Sequence, residues 1–233
     1  MNDIVVFPMG DSPAIPFAAE ELKRQGIKIA TQLDEHVTYV LLNVPGRAQI
    51  PERIPLSVTV IGGNLDGLYT EHKRIDLLRQ AQYVAENAAL TADCALRLLG
   101  QKLSVSFQNC PILVIGWGRI GKCLAKLLRG VGAKVTVAAR KPSDRGMLTA
   151  LGYEAVDIPE ITPQRFRAIL NTVPAPVLPA FDGECVRIDL ASQLGMAGEK
   201  VLWARGLPGK MLPESAGRLI AQGVLRQIKE EEV

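Results

Sequence analysis

The chain has 233 residues, 48% of them hydrophobic, 5% aromatic and 22% charged, a balance suited to a soluble α/β protein of aliphatic strands and alanine-lined helices. Its 27 basic and 24 acidic side chains leave a charge of +3, too weak and too evenly spread for a nucleic-acid-binding surface. No apolar run approaches the ~18 residues needed to cross a bilayer. Asp3 and Pro8 stand where a signal peptide would carry a basic head and a long apolar run, so a cytoplasmic protein with no membrane partner is expected.

In chain order, "DIVVFP" (Asp3 to Pro8) reads as a buried strand and Met9 to Pro13 as a turn. "PFAAEELKRQG" reads as a helix from Pro16 to Gly26. "IKIAT", "VTYVLLNV" and "SVTVIGG" supply further strands, and Pro45, Pro51 and Pro55 make Val44 to Leu56 a loop. Glu71 to Gln80 has a helical pattern, "AQYVAEN" reads as a weak strand, and "ALTADCALRLLG" as a helix with Leu90, Cys94, Leu98 and Leu99 on one face. That face could pack within the chain or across a homodimer.

Then comes "PILVIGWGRIGKCLAKLL", Pro111 to Leu128: a strand, three glycines at Gly116, Gly118 and Gly121, and an amphipathic helix with Ile120, Leu124, Leu127 and Leu128 as its buried stripe. In G-x-G-x-x-G the first glycine makes the tight turn, the second admits a pyrophosphate and the third lets helix and strand pack closely. The helix's free N–H groups then face the phosphates, predicting a dinucleotide held by Gly116, Trp117, Gly118, Arg119, Ile120 and Gly121. NAD enzymes place an acidic residue ~20 residues further on for the ribose 2′-hydroxyl. Here "VTVAARKPSDR" has Ala138 and Ala139, followed by Arg140, Lys141 and Arg145. Guanidinium groups without a competing carboxylate suit a 2′-phosphate, so NADP(H) is expected in preference to NAD(H).

Downstream, "AKVTVAAR", "YEAV", "ILNTVP", "CVRIDLA" and "VLWARG" read as strands, "DRGMLTALG" and "TPQRFRAI" as helices. A last helix from Pro213 carries Ala216, Leu219, Ile220, Val224 and Ile228 on one face. Strands alternating with helices predict a mostly parallel sheet with right-handed crossovers. A small N-terminal α/β domain over 1–86 is expected, with the helix at 213–233 packing on it, and a Rossmann NADP-binding domain over 87–212. Cys94, Cys110, Cys123 and Cys185 form no C-x-x-C pair, and His36 and His72 have no partners at ligand spacing, so reduced thiols and no metal site are expected. Neither histidine follows the glycine motif, which disfavours the alcohol–ketone chemistry of a 2-hydroxyacid dehydrogenase, where a histidine is the usual acid–base group.

Two segments, "RIDLASQLGMAG" (Arg187 to Gly198) and "ARGLPGKMLPESAGRLIA" (Ala204 to Ala221), together with Arg119 inside the glycine motif and "LNTVP" (Leu170 to Pro174), resemble the A-subunit family of dipicolinate synthase. The resemblance covers Tyr83 to the C-terminus and is loose before that. It implies an α/β fold like that of 2-hydroxyacid dehydrogenases, a Rossmann-type doubly wound parallel sheet with a second, smaller flavodoxin-like α/β domain. It further implies oxidation of a dihydrodipicolinate-type precursor to pyridine-2,6-dicarboxylate during sporulation, with a nicotinamide cofactor and a flavoprotein-like dipicolinate synthase B-type partner. Leu194-Gly195-Met196 replaces the family's Pro-Gly-Gly, and the N-terminal domain is shorter.

Asn171, Thr172 and Val173 complete the expected cofactor set. A small dicarboxylate is expected to meet Ser192, Arg205, the "GLPGK" segment read as a loop (Gly206, Leu207, Pro208, Gly209 and Lys210) and Ser215, since cations and oriented N–H donors bind carboxylates. Asp189, Ser192 and Lys210 are the expected catalytic residues. The alternatives are a non-catalytic, NADP-binding regulatory protein and a dehydrogenase or reductase of another small carboxylate.

Overall fold

The computed structural model describes residues 4–44 and 54–231. The chain divides into two compact units, Met1–Leu90 with Pro208–Val233, and Thr91–Leu207.

The first unit is built on a five-stranded parallel sheet of β1 (Val5–Pro8), β2 (Lys28–Ile29), β3 (Tyr39–Leu41), β4 (Thr59–Gly62) and β5 (Arg74–Asp76), in the order β2-β1-β3-β4-β5. This is the flavodoxin-like order. Successive side chains point to opposite faces of a strand. Val6, Leu41 and Ile61 accordingly meet one core, with residues of α1 (Ala14–Arg24) and the long C-terminal helix, while Val40, Leu42 and Val60 meet a second core with Val37, Val58 and Leu65. The C-terminal helix packs along α1, where Gly217 lets the two backbones approach; a Cβ there would lie 2.5 Å from the Ala14 carbonyl.

The boundary between units falls inside α2 (Ala81–Lys102). The second unit holds β6 (Pro111–Ile115), α3 (Arg119–Gly130), β7 (Lys134–Ala138), α4 (Pro142–Ala150), β8 (Glu154–Val156), β9 (Ala168–Asn171), β10 (Val186–Asp189) and β11 (Val201–Trp203). The sheet order is β11-β10-β9-β6-β7-β8, all parallel, which is the Rossmann order read from its far edge. Ile112 to Ile115 are wholly buried, as a central strand covered on both faces requires. The short helix α5 (Leu207–Met211) spans the return to the first unit, and α6 (Pro213–Glu231) closes the chain.

The two-sheet α/β architecture is the one expected; four local readings change. Glu71 to Gln80 is not helical: Arg74 to Asp76 alternate exposed, buried and half-buried along β4, and Asp76 caps a 3₁₀ turn by accepting the Leu78 N–H at 2.9 Å. The "AQYVAEN" segment is the start of α2, where Ala88, Ala92, Ala95 and Leu99 form one buried stripe, Tyr83 packs into the core of the first unit, and Ala, Gln and Glu favour helix over the β preference of Tyr and Val. "TPQRFRAI" keeps only a 3₁₀ turn at Pro163–Arg165, because Ala168 is already paired with Ile112 in the sheet. The "GLPGK" segment is not a loop, its Leu207–Met211 forming α5. The loop expected over Val44 to Leu56 lies mostly outside the described residues. Among the described residues no helix is long and apolar enough to cross a membrane.

Candidate dinucleotide site

β6 delivers the chain into the glycine turn at its carboxyl end, and α3 leaves from it. Gly116 has φ +104, a left-handed conformation, and a Cβ on it would collide with the Thr172 hydroxyl. A Cβ on Gly121 would collide with the carbonyl oxygen of Gly116, so this glycine is what lets α3 sit against the strand. Gly118 differs from both: its φ of −82 and ψ of −169 suit any residue, and a Cβ there meets nothing within 4 Å. Among the described residues nothing requires a glycine at 118. The open backbone is what an approaching pyrophosphate requires.

Gly118 is also the N-cap of α3, with no side chain capping the helix and no acidic residue in its first turn. Its first N–H groups are therefore left for a ligand, with the positive end of the helix dipole behind them. Trp117 is half-buried and packs edge-on to Tyr153, ring centroids 5.8 Å apart, with Lys122 Nζ 5.7 Å from its own ring. Arg119 and Ile120 open the helix, Arg119 exposed and Ile120 half-buried. The residues present fit a dinucleotide.

At the end of β7, Ala138 and Ala139 are buried, while Arg140 and Lys141 are exposed. Arg145 is placed differently from these two. Its Nη1 donates to the carbonyls of Ala139 and Arg140, both at 2.8 Å, and lies 3.1 Å from an Asp157 carboxylate oxygen. The guanidinium thus holds the turn that presents Arg140.

Asn171 and Asp189 end the neighbouring strands β9 and β10, and both are wholly buried. Asp189 Oδ2 accepts from Asn171 Nδ2 at 2.9 Å, Gly195 N at 2.9 Å and Met196 N at 3.1 Å, and Oδ1 accepts from Ala191 N at 3.0 Å. Asn171 also bonds the amide and carbonyl of Val173. One amide–carboxylate pair therefore ties the Thr172–Val173 segment beside Gly116 to the loop carrying Ser192, which is itself exposed. Gly195 fits under this pair because a Cβ would come within 2.6 Å of Asn171 Nδ2. Arg205 lies over the Trp203 ring at 5.2 Å, and Trp203 Nε1 donates to the Ala191 carbonyl at 2.9 Å.

Of the expected substrate residues, Ser192, Arg205, Gly206 and Leu207 fall in the second unit, and Pro208, Gly209, Lys210 and Ser215 in the first. Gly209 packs by Ser12, a Cβ there reaching 3.1 Å from its hydroxyl, while Lys210 and Ser215 are exposed. Beside them is a cluster that sequence reasoning took only as a turn: Asn43 accepts the Ser12 N–H on Oδ1 at 2.8 Å and donates to the Asp11 carboxylate. It sits at the carboxyl ends of β1 and β3, where the strand order of this sheet reverses, the usual ligand crevice of such sheets. A Gly10 Cβ would collide with Asn43, so Gly-Asp-Ser was the available signal, but only the fold brings Asn43 to it.

Fold and site together define a two-unit α/β protein with a dehydrogenase-type dinucleotide-binding unit. Residues 75–176 match the NAD-binding domain of the D-isomer-specific 2-hydroxyacid dehydrogenases. In sequence the chain is a relative of the dipicolinate synthase A subunit from Bacillus subtilis (strain 168): the two are 25% identical over 205 residues, across 78% of this chain and 69% of that protein. In fold it is similar to the A subunit of dipicolinate synthase from Bacillus halodurans, with a TM-score of 0.82 at 22% identity over 98% of each chain. It is similar also to the dipicolinate synthase A chain from Bacillus subtilis, with a TM-score of 0.83 at 20% identity over 100% of this chain and 97% of that one. A transhydrogenase from Sinorhizobium meliloti has a TM-score of 0.70 at 13% identity, over 98% of this chain and 85% of that one.

Proposed function

We propose that the chain is an NADP(H)-dependent oxidoreductase of the dipicolinate synthase A type, oxidising a dihydrodipicolinate-type precursor to pyridine-2,6-dicarboxylate together with a flavoprotein-like B-type partner. The observation that carries the cofactor half of this reading is Gly118, a glycine with no steric reason inside the protein at the N-terminus of an uncapped helix. With a dinucleotide held there, its oxidised nicotinamide would take up the hydride that leaves the dihydropyridine ring, and the second hydrogen would leave as a proton to solvent. Aromatisation supplies much of the driving force, which fits a chain with no histidine after its glycine motif.

In this reading Arg140 and Lys141 meet the 2′-phosphate, and Arg145, tied to Asp157 and two carbonyls, keeps the turn in place. NADP⁺ should bind at least about ten-fold more tightly than NAD⁺ at one salt concentration, a difference of ~1.4 kcal/mol. Arg140→Asp should reverse the order. Equal dissociation constants for the parent chain would end the NADP(H) assignment. Trp117 gives the readout: its emission should change on saturation with cofactor, and an unchanged spectrum would count against docking beside it.

Ser192 and Lys210 are proposed to meet the substrate, with Arg205 as a second cation, while Asp189 acts by positioning the Ser192 loop. Lys210→Ala, at an exposed site, should lower kcat/KM while leaving the cofactor dissociation constant unchanged; equal turnover would remove Lys210 from the site. The deciding assay gives the chain, with and without a B-type partner, the precursor and NADP⁺, and follows pyridine-2,6-dicarboxylate. Cofactor binding without product in the partner's presence favours a regulatory, NADP-binding role, to which the full engagement of Asp189 by its neighbours lends support.

A further inference from the structure

We propose that the amino-terminal edge of the six-stranded sheet carries a second ligand site, in which Arg187 binds a small carboxylate. Arg187 lies within β10 and is 6% exposed. Its Nη2 donates to the Gly183 carbonyl at 2.9 Å, its guanidinium lies 4.2 Å from the Phe181 ring centroid, and its buried Nε has no hydrogen-bond partner. Buried cations are ordinarily paired or fully hydrogen-bonded, because burying an uncompensated charge is costly. Among the described residues Arg187 forms no ion pair, and of its five N–H donors one, on Nη2, is bonded to the protein.

Arg187 lines a cavity of about 390 Å³, within the ~300–1,000 Å³ range of small-molecule sites. The loops that precede β10 and β11 form it, so it lies at the opposite end of the strands from the glycine turn. Gly198 keeps the guanidinium accessible: it has φ +120, and a Cβ there would sit 3.1 Å from Arg187 Nη1. Lys200 supplies a second cation at the cavity wall, held by a loose 3.9 Å contact to the exposed Glu184.

A planar guanidinium fixed against an aromatic ring presents an edge for two parallel N–H bonds to an oxyanion. Asp182 and Glu199 also line the cavity, and their charges oppose a dianion more strongly than a monoanion. The site therefore selects a small monocarboxylate. It stands independently of the activity proposed above.

Calorimetric titration of the full chain with propionate, in the presence and absence of saturating NADP⁺, tests the site. One propionate should bind per chain, unaffected by the nucleotide, and inorganic phosphate as its dianion should bind at least about ten-fold more weakly. Arg187→Met should weaken propionate by about ten-fold or more, and Lys200→Ala, at an exposed position that folding does not depend on, by about three-fold. Absence of propionate binding, displacement by nucleotide, phosphate binding as tight as propionate, or an affinity unmoved by Lys200→Ala would each overturn the proposal.

Discussion

Gly118→Val is expected to yield a folded protein that has lost its cofactor. The backbone at 118 has strand-like angles that a β-branched residue accepts, and the new Cβ meets no atom within 4 Å. The stability cost is that of a poorer N-cap, about 1 kcal/mol. The two added methyl groups fill the space where a pyrophosphate would meet the backbone, so nucleotide affinity should fall by more than about 100-fold. Gly121→Val is the contrasting control: its Cβ collides with the Gly116 carbonyl, so this variant should fail to fold the second unit. Titration of Trp117 fluorescence with NADP⁺, beside far-UV circular dichroism, separates the two. A Gly118→Val protein that binds nucleotide like the parent would make the turn purely structural and remove the dehydrogenase reading with it.

The contrast between these glycines also marks what could be read from the amino acids alone. The strand–turn–helix around Gly116 was legible because each of its parts is local: an unbroken apolar run, glycines at fixed spacing, and an amphipathic helix. The Rossmann sheet followed from strands alternating with helices, and the buried stripe of α6 from its 3.6-residue period. What was not legible was set by partners distant in the chain. Arg74 to Asp76 form a strand because β4 offers them an edge, against a local helical pattern. Arg145 looks like one more phosphate ligand beside Arg140 until Asp157, 12 residues on, is seen to hold it. Arg187 carries no motif, and its distinction as a buried, unpaired cation exists only once Phe181, Gly183 and Gly198 close around it.

Asp189 shows the same limit most sharply, and its replacement has the second large expected effect. A carboxylate at a strand end, inside a segment that resembles an oxidoreductase signature, reads as a catalytic candidate. Its surroundings make it an internal anchor: wholly buried, with four N–H groups on its two oxygens. Asp189→Asn keeps the shape but turns one acceptor into a donor facing N–H groups. Three backbone amides and the Asn171 side chain then compete for the remaining oxygen. Breaking a buried charged network of this kind costs about 3–5 kcal/mol. Both tryptophans of the chain, Trp117 and Trp203, belong to the second unit, so fluorescence during urea unfolding reports that unit selectively. The expected result is a midpoint shifted well to lower urea with an unchanged slope, accompanied by protease cleavage within the 192–194 loop of the folded variant. If the variant instead unfolds within about 1 kcal/mol of the parent and loses only turnover, the carboxylate acts on substrate and its hydrogen bonds are secondary to stability.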